Sequence, residues 1–295
     1  MTIYSYTDYL RNPFLATDCL GELLRKSALR LFLGAGASNG LGLPAWKMLV
    51  ARAIDKDTDA AFVSELDGKS SSELGKLVSA IDDGSSTYVQ KLHVALYRDI
   101  KPNLLEQLQV SPLLLALAAL MTGMHRGRVS SVVTYNYDDL LEQYLKMLGL
   151  AVCCRTMPDE LSTSADVEVN YVHGRLPQSW SITDALPEIV LSERSFRTRR
   201  AGIDKGWSAM VEHGLYSKIG LFIGLSGDDS SILDILKRAV PSIKRSNDYT
   251  GYWLLTPDAF LRNSSDIQDV GMCPIRIEKQ KIPEFLFRIC QSAAR

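Results

Sequence analysis

The chain is poor in the residues that hold a structural metal or a disulfide framework. It has 4 histidines and 5 cysteines in 295 residues, and no two cysteines stand in a C-x-x-C pair. Paired C-x-x-C motifs are common ligands of structural zinc, and closely spaced cysteines staple small secreted domains. We therefore expect reduced thiols, no zinc module and no bound metal.

The chain also lacks a charge excess and any long apolar run. Its 33 Lys and Arg nearly balance 34 Asp and Glu, so no overall positive field favours nucleic acid or an anionic membrane surface. The basic run at 194–200 is interpreted as a solvated helix face. No apolar stretch reaches the roughly 18 residues that span a bilayer, and the N-terminus does not resemble a signal peptide. We expect a cytoplasmic protein without membrane contact or direct nucleic-acid binding.

Short apolar segments alternate with helical patterns along most of the chain. Segments bounded by glycine or polar residues are typical of strands buried on both faces of a parallel sheet. The sequence therefore predicts an α/β fold with a Rossmann-like, mostly parallel sheet and helices on both faces. The predicted strands are 29–33, 129–134, 151–155, 169–173, 189–191, 219–223, 252–255 and 275–277.

One long region shows helical patterns and no strand pattern. Residues 47–126 exceed an ordinary crossover connection, so we expect a helical insertion or cap beside the sheet. The core then comprises about 15–46 and 127–295, within a single domain over 1–295. Residues 1–14 form an aromatic-rich N-terminal arm, which could pack on this chain or on a neighbouring subunit.

Four of the predicted strands end in glycine or polar residues. The first is followed by G-A-G-A-S at 34–38, where glycines let backbone N–H groups approach a phosphate and Ser38 adds a hydroxyl donor. The others are followed by T-Y-N-Y-D at 134–138, H-G at 173–174 and G-L-S at 224–226. Ligands of open α/β sheets bind outside the carboxyl ends of the strands. Each motif alone also fits a simpler role, as a turn, a helix cap or a histidine bonded to backbone.

Together the motifs resemble those of a known family. G-A-G-A-S followed by G-L-P-x-W at 42–46 resembles the opening motif of sirtuin-like NAD-binding domains, particularly the bacterial branch that hydrolyses NAD⁺. T-x-N-x-D at 134–138, H-G at 173–174 and G-x-S at 224–226 resemble further motifs of that family, in the same order. The resemblance spans about 29–260 and implies NAD⁺ as the substrate.

The resemblance also implies roles for individual residues. Asn136 and His173 are the expected catalytic residues: Asn136 orients the ribose hydroxyls or the attacking water, and His173 polarises a ribose hydroxyl or that water. Asp138 is expected at the nicotinamide amide. The remaining expected contacts are Gly34, Ala35, Gly36 and Ser38 at the pyrophosphate, and Gly224 and Ser226 at the adenosine ribose.

The implied reaction is cleavage of the bond between nicotinamide and ribose. Nicotinamide is a cationic leaving group, so stabilising an oxocarbenium-like ribose matters more than acid catalysis. Sirtuin deacylases carry a zinc module with paired C-x-x-C motifs, which this chain lacks. Water is therefore the expected acceptor, giving ADP-ribose and nicotinamide. The alternatives are an NAD⁺- or ADP-ribose-binding regulatory module without turnover, and an NAD-dependent deacylase or ADP-ribosyl transferase.

Family resemblance further implies a setting and partners. Bacterial NAD⁺ hydrolases of this type deplete NAD⁺ in anti-phage defence, so the resting protein is expected to be restrained by assembly or by a partner. We expect a homo-oligomer, with a HerA-type hexameric ATPase or helicase as the partner that the family precedent suggests.

Overall fold

A seven-stranded parallel sheet is the centre of the fold. The computed structural model describes residues 4–38, 40–100, 106, 109–123, 127–160, 164–195, 203–227, 230–239 and 249–295. Within these ranges the strand order is β3-β4-β2-β1-β5-β6-β7, and every pair is parallel. The predicted Rossmann-like sheet is confirmed. The strands are β1 Leu29–Leu33, β2 Ser131–Thr134, β3 Val152–Arg155, β4 Val167–Tyr171, β5 Ile219–Ile223, β6 Gly251–Leu255 and β7 Met272–Arg276.

Helices cover both faces of this sheet. On one face α2, α7 and α12 pack together, and on the other α9, α10 and α11 cover a second apolar cluster. The described α-helices are α1 Tyr6–Arg11, α2 Ala16–Arg25, α3 Trp46–Ala53, α4 Ala60–Glu65, α5 Ser71–Ser79, α6 Ser86–Tyr97, α7 Pro112–Met121, α8 Leu140–Met147, α9 Ile203–Ser217, α10 Ser230–Ala239, α11 Pro257–Asp269 and α12 Ile282–Ala293.

The central strands are apolar because both of their faces are covered. Every residue of β5 and of β6 is buried, as expected for the middle of a parallel sheet. On one face the rings of Phe32, Phe222 and Trp253 stack in sequence across β1, β5 and β6, with centroids 4.3 and 4.6 Å apart. Alternate residues of the same strands pack against the opposite helical layer.

The N-terminal arm packs on this chain. Its helix α1 begins with a capping box, in which Asp8 N donates to Ser5 Oγ and Ser5 N donates to Asp8 Oδ2. Tyr9 is buried edge-on against Tyr252, and Phe14 contacts Phe285 of α12. The aromatic side chains that the sequence left without an assigned partner therefore belong to the core of the same molecule.

The helical region between β1 and β2 has two environments. Helix α3 contacts both α5 and α6, and we call these three helices the cap. Helix α7 instead packs against α12 and α8, and Val129 N donates to Leu120 O just before β2. The last helix of the region therefore lies in the layer that covers the sheet.

Besides helix α1 in the N-terminal arm, two elements differ from the sequence predictions. Residues 189–191 are not a strand: Val190 N donates to His173 O at 2.9 Å, and the Tyr137 hydroxyl donates to Val190 O at 2.8 Å. The segment is apolar because it lies across the ends of β2 and β4, outside the sheet ladder. Helix α11 was not predicted, because its sequence is mostly polar.

The remaining sequence predictions concern the basic run, the cysteines and membrane contact. Residues 196–200 of the basic run lie outside the described residues, as does Asn39. The five cysteines are free thiols. No described helix combines the length and the apolar character needed to cross a bilayer.

Candidate active site

The loops that follow β1, β2, β4 and β5 meet at a cavity of about 420 Å³. The cavity lies at the carboxyl edge of the sheet. Here β2 pairs with one side of β1 and β5 with the other, so the strand order reverses at β1. Ligands of open α/β sheets are expected at such a point. Of the nine residues predicted for the site, eight line the cavity and Gly36 does not. The eight are Gly34, Ala35, Ser38, Asn136, Asp138, His173, Gly224 and Ser226.

Close backbone contact joins the loops after β1 and β5. Gly224 has φ +73°, and a Cβ there would lie 2.4 Å from Ala37 N. Gly36 N donates to Gly224 O at 2.9 Å. Only glycine at 224 accommodates both the left-handed backbone and this approach. Gly36 therefore contributes to the shape of the loop, while its neighbours face the cavity.

The loop after β1 leaves one backbone donor for a ligand. Among the five N–H groups of 34–38, only that of Ala35 donates to no acceptor in the part of the chain that the structure describes. The other four donate to carbonyls: Gly34 to Ile223, Gly36 to Gly224, Ala37 to Gly34 and Ser38 to Ala35. The sequence predicted that several N–H groups of this loop are available to a phosphate. Within the described residues only the N–H of Ala35 in this loop is available.

Asn136, Ser38 and Asp138 form a buried hydrogen-bonded chain. The Ser38 hydroxyl lies 3.1 and 2.9 Å from the two carboxylate oxygens of Asp138, and Asn136 Nδ2 lies 3.1 Å from Ser38 Oγ. All three side chains are less than a tenth exposed. Burial raises the pKa of Asp138 to about 6, against the lowering effect of the hydrogen bonds from Ser38 and from Leu140 N. The Ser38 hydroxyl was expected to face a phosphate, but its proton points to Asp138.

His173 lies beside Asn136 because β4 lies beside β2. The pair Thr134↔Tyr171 is in register, and each functional residue follows two positions later. The Tyr135 ring contacts the His173 imidazole edge-on, with centroids 5.1 Å apart. Both His173 and Asn136 line the cavity, so one ligand can contact both side chains.

The glycine after His173 is required by a loop that crosses over it. Gly174 has φ +92°, and a Cβ there would lie 1.9 Å from Glu188 O. We call residues 188–195 the strap. The H-G pair therefore combines a functional side chain with a position where the strap passes too close for any other residue.

The strap connects the sheet to the helical cap. Its Ser192 hydroxyl donates to the Asp82 carboxylate, Arg194 N donates to Ser79 Oγ at 3.2 Å, and Arg194 Nη1 donates to Asp82 O at 2.8 Å. Residues 190–193 of the strap line the cavity. The cavity wall is thus held from both sides, by strand ends and by the loop after α5.

The cap supplies an apolar wall. Trp46 and Leu49 of α3 and Leu96 of α6 line the cavity, together with Ser72 and Gly75 of α5. The tryptophan of the G-L-P-x-W motif therefore faces the same space as the catalytic candidates.

Two residues that support the loop after β5 carried little or no sequence signal. Trp253 Nε1 donates to Leu225 O at 2.9 Å, and Asn263 Nδ2 donates to Ser226 O at 2.8 Å. Trp253 stands in a predicted strand, whereas Asn263 lies on α11, which the sequence pattern did not indicate. Both side chains hold the backbone of the G-x-S motif at the cavity.

The residues present fit a dinucleotide ligand. The cavity offers the N–H of Ala35, which has no acceptor among the described residues, and the glycine backbone at 224. It also has polar side chains at Asn136, Asp138 and His173. Together with the apolar wall from the cap, this is the mixture of apolar surface and few polar groups typical of a ligand site. Among the described residues no three His, Cys, Asp or Glu side chains lie close enough together to hold a metal ion.

Comparison with known proteins assigns a family to the segment that contains β2, β4 and β5. Residues 130–275 match the family model described as a SIR2-like domain. No curated protein matches the chain. The matched segment begins beside β2 and ends within β7, so it contains Asn136, Asp138, His173, Gly224 and Ser226, while the glycine loop after β1 precedes it. The chain therefore carries a SIR2-like domain with a Rossmann-like fold, in a family of enzymes that use NAD⁺.

Proposed function

We propose that the protein is an NAD⁺ glycohydrolase, which cleaves the bond between nicotinamide and ribose to give nicotinamide and ADP-ribose. The observation that carries this proposal is the placement of Asn136 and His173 on adjacent parallel strands, facing one cavity with the glycine loops of β1 and β5. The site thus has a region suited to a pyrophosphate and, beside it, an amide and an imidazole suited to a ribose.

The chemistry needs little beyond positioning and electrostatics. The C–N bond to nicotinamide breaks with its electron pair leaving on the neutral base, and a water oxygen bonds to the anomeric carbon and gives up one proton. His173 is placed to accept that proton, directly or through a ribose hydroxyl. The carbonyl oxygen of Asn136 is placed to orient the water, and a carboxylate at Asp138 favours the positive charge that develops on the ribose.

Two features favour water as the acceptor. The cap and strap form walls of the cavity, through Trp46 of α3 and Ser192 of the strap among others, and the Ser192–Asp82 contact joins the two. The sequence carries no C-x-x-C pairs of the kind that build the zinc module of deacylases. A deacylase or ADP-ribosyl transferase would need a second substrate to reach the anomeric carbon past these walls.

The experiment follows NAD⁺ loss and product formation with purified wild type, N136A and H173A. General acid–base and positioning groups contribute about 10²–10⁴-fold, so each variant should lose turnover on that scale. H213A changes an exposed histidine of α9 and should retain it. Full turnover in both site variants would exclude the mechanism. NAD⁺-dependent stabilisation of the wild type without any product would instead indicate a regulatory binding module.

The wider setting is proposed on resemblance to bacterial NAD⁺ hydrolases. In that setting the protein acts in the cytoplasm, depletes NAD⁺ during anti-phage defence, and is held inactive as a homo-oligomer or with a HerA-type ATPase. Mass measurement of the purified chain, alone and with a co-expressed ATPase, tests the assembly. NAD⁺ turnover in both samples tests the restraint, and acylated peptides in the same assay test for deacylation.

A further inference from the structure

We propose that Ser38 is a positioning residue: by donating its hydroxyl proton to Asp138, it fixes the Asn136 amide with the carbonyl oxygen toward the cavity. The expected effect on turnover rests on the proposed function, because Asn136 is the residue expected to orient water or ribose. Its structural part stands on the hydrogen-bond geometry alone.

The first step is the direction of the Ser38 hydrogen bond. An ionised carboxylate can only accept, and a serine hydroxyl has a single proton. Ser38 Oγ lies within 3.1 Å of both Asp138 oxygens, so that proton is directed to the carboxylate. Ser38 Oγ is then left with lone pairs only toward any other neighbour.

The second step is the orientation of Asn136. Its side chain lies 3.1 Å from Ser38 Oγ, which can only accept from it, so the NH₂ group must face Ser38. The carbonyl oxygen is on the other side of the planar amide. No hydrogen bond within the described residues ends on that oxygen, and it is not enclosed away from solvent. An acceptor is thereby presented to the cavity.

The third step is the dependence on the charge of Asp138. A protonated Asp138 can donate to Ser38, which frees the serine proton to donate to the Asn136 carbonyl and removes the preference for one amide orientation. Burial raises the pKa of Asp138 to about 6, so the protonation of Asp138 falls within a pH range that a titration can cover. The other titratable groups facing Asp138 are Asp139, Tyr97 and Tyr171, and His173 lines the same cavity.

The test reads the Asn136 side-chain amide by NMR, assigned by its loss in N136A. In wild type we expect slowed hydrogen exchange of this NH₂ and a shift change with a midpoint near pH 6. The midpoint should persist in H173A and vanish in D138N. The spectrum is titrated instead of the rate, because the amide signal reports on Asn136 directly.

Kinetics supply the second readout. S38A should lower kcat by about 10–10²-fold, the scale expected for a misplaced catalytic group, with a smaller change in KM, and S38T should recover most of the loss because it keeps the hydroxyl. S217A, on the exposed end of α9 at the opposite edge of the sheet, is the matched control.

The outcomes separate the two proposals. A wild-type Asn136 amide that exchanges freely, or that shows no dependence on Ser38, would overturn the positioning role whatever the activity. Absence of NAD⁺ turnover in the wild type would overturn the proposed function, and the spectra would still decide the amide orientation. An S38A enzyme with unchanged kcat would also overturn the positioning role.

Discussion

Asn136 and His173 each stand two residues beyond a pair of registered strand residues, Thr134 in β2 and Tyr171 in β4. Parallel pairing therefore brings two side chains that are 37 positions apart in sequence to the same edge of the sheet. Val172 N continues the ladder by donating to Thr134 O at 3.1 Å. The relative position of the amide and the imidazole is set by the most regular part of the fold.

Gly224→Ala should destabilise the protein and weaken NAD⁺ binding. A left-handed backbone costs a non-glycine residue about 1–2 kcal/mol, and here the new Cβ also meets Ala37 N, which adds about 1–3 kcal/mol of overpacking. Gly149→Ala is the control, because Gly149 has φ +81° but no atom within 4 Å of the added Cβ. Urea unfolding measures the free energy of unfolding of both variants. Equal losses in the two variants would show that the close approach carries no energetic weight.

Trp253→Phe should be more destabilising than Trp207→Phe, although both indoles are buried. Trp253 Nε1 donates to Leu225 O, so the first change leaves a carbonyl of the cavity loop unpaired, at a cost of about 1–3 kcal/mol. Trp207 Nε1 is buried without a partner among the described residues, so the second change removes an unsatisfied donor. Denaturant midpoints of the two variants, compared at equal m-value, check the prediction. A Trp207→Phe variant that is the less stable would contradict it.

Asp138→Asn should stabilise the protein at neutral pH. Burial raises the Asp138 pKa to about 6, so the folded state binds a proton more tightly than the unfolded state, and stability falls as pH rises from about 4 to above 6. Each pKa unit is worth about 1.4 kcal/mol, so the ionised carboxyl costs the folded state up to about 3 kcal/mol. The variant should therefore melt at a higher temperature than wild type at pH 7.5 and at a similar one near pH 4.

Asp166→Asn is the control, because it should change stability at neutral pH in the opposite direction. The hydrogen bond from Ala151 N, followed by that from Arg128, lowers the pKa of Asp166. Its stabilising contribution is present above the unfolded-state pKa and is lost as pH falls through the folded-state value. This variant should melt at a lower temperature than wild type at pH 7.5. If both variants shifted in the same direction at neutral pH, burial of Asp138 would not explain its effect.

Most of the sheet could be predicted because its strands are short, apolar and bounded by glycine or polar residues. The runs that became β1 and β5 show both signals, and the structure has them at the predicted residues, 29–33 and 219–223. The same signal failed at 189–191, since an apolar segment that crosses strand ends is as buried as one within the ladder. Helix α11 gave no signal because only a narrow side of it is buried.

The cavity was predictable in its membership but not in its hydrogen bonds. Glycines, Asn136 and His173 could be placed at strand ends from the pattern alone. The bond between Ser38 and Asp138 joins residues 100 positions apart, and it depends on the side-chain conformations that burial selects. Sequence motifs show which groups reach a site, whereas the sharing of protons among them depends on distances of a few tenths of an ångström.

The central strand also limits how the protein can be divided. The segment that matches the SIR2-like family, 130–275, omits β1, which lies between β2 and β5. A fragment limited to that segment would leave one edge of β2 and one edge of β5 unpaired, and unpaired apolar strand edges are templates for aggregation. Truncated versions made for crystallisation or expression should therefore keep β1 together with α2 and the N-terminal arm, whose Tyr9 is part of the core, or they will precipitate instead of folding.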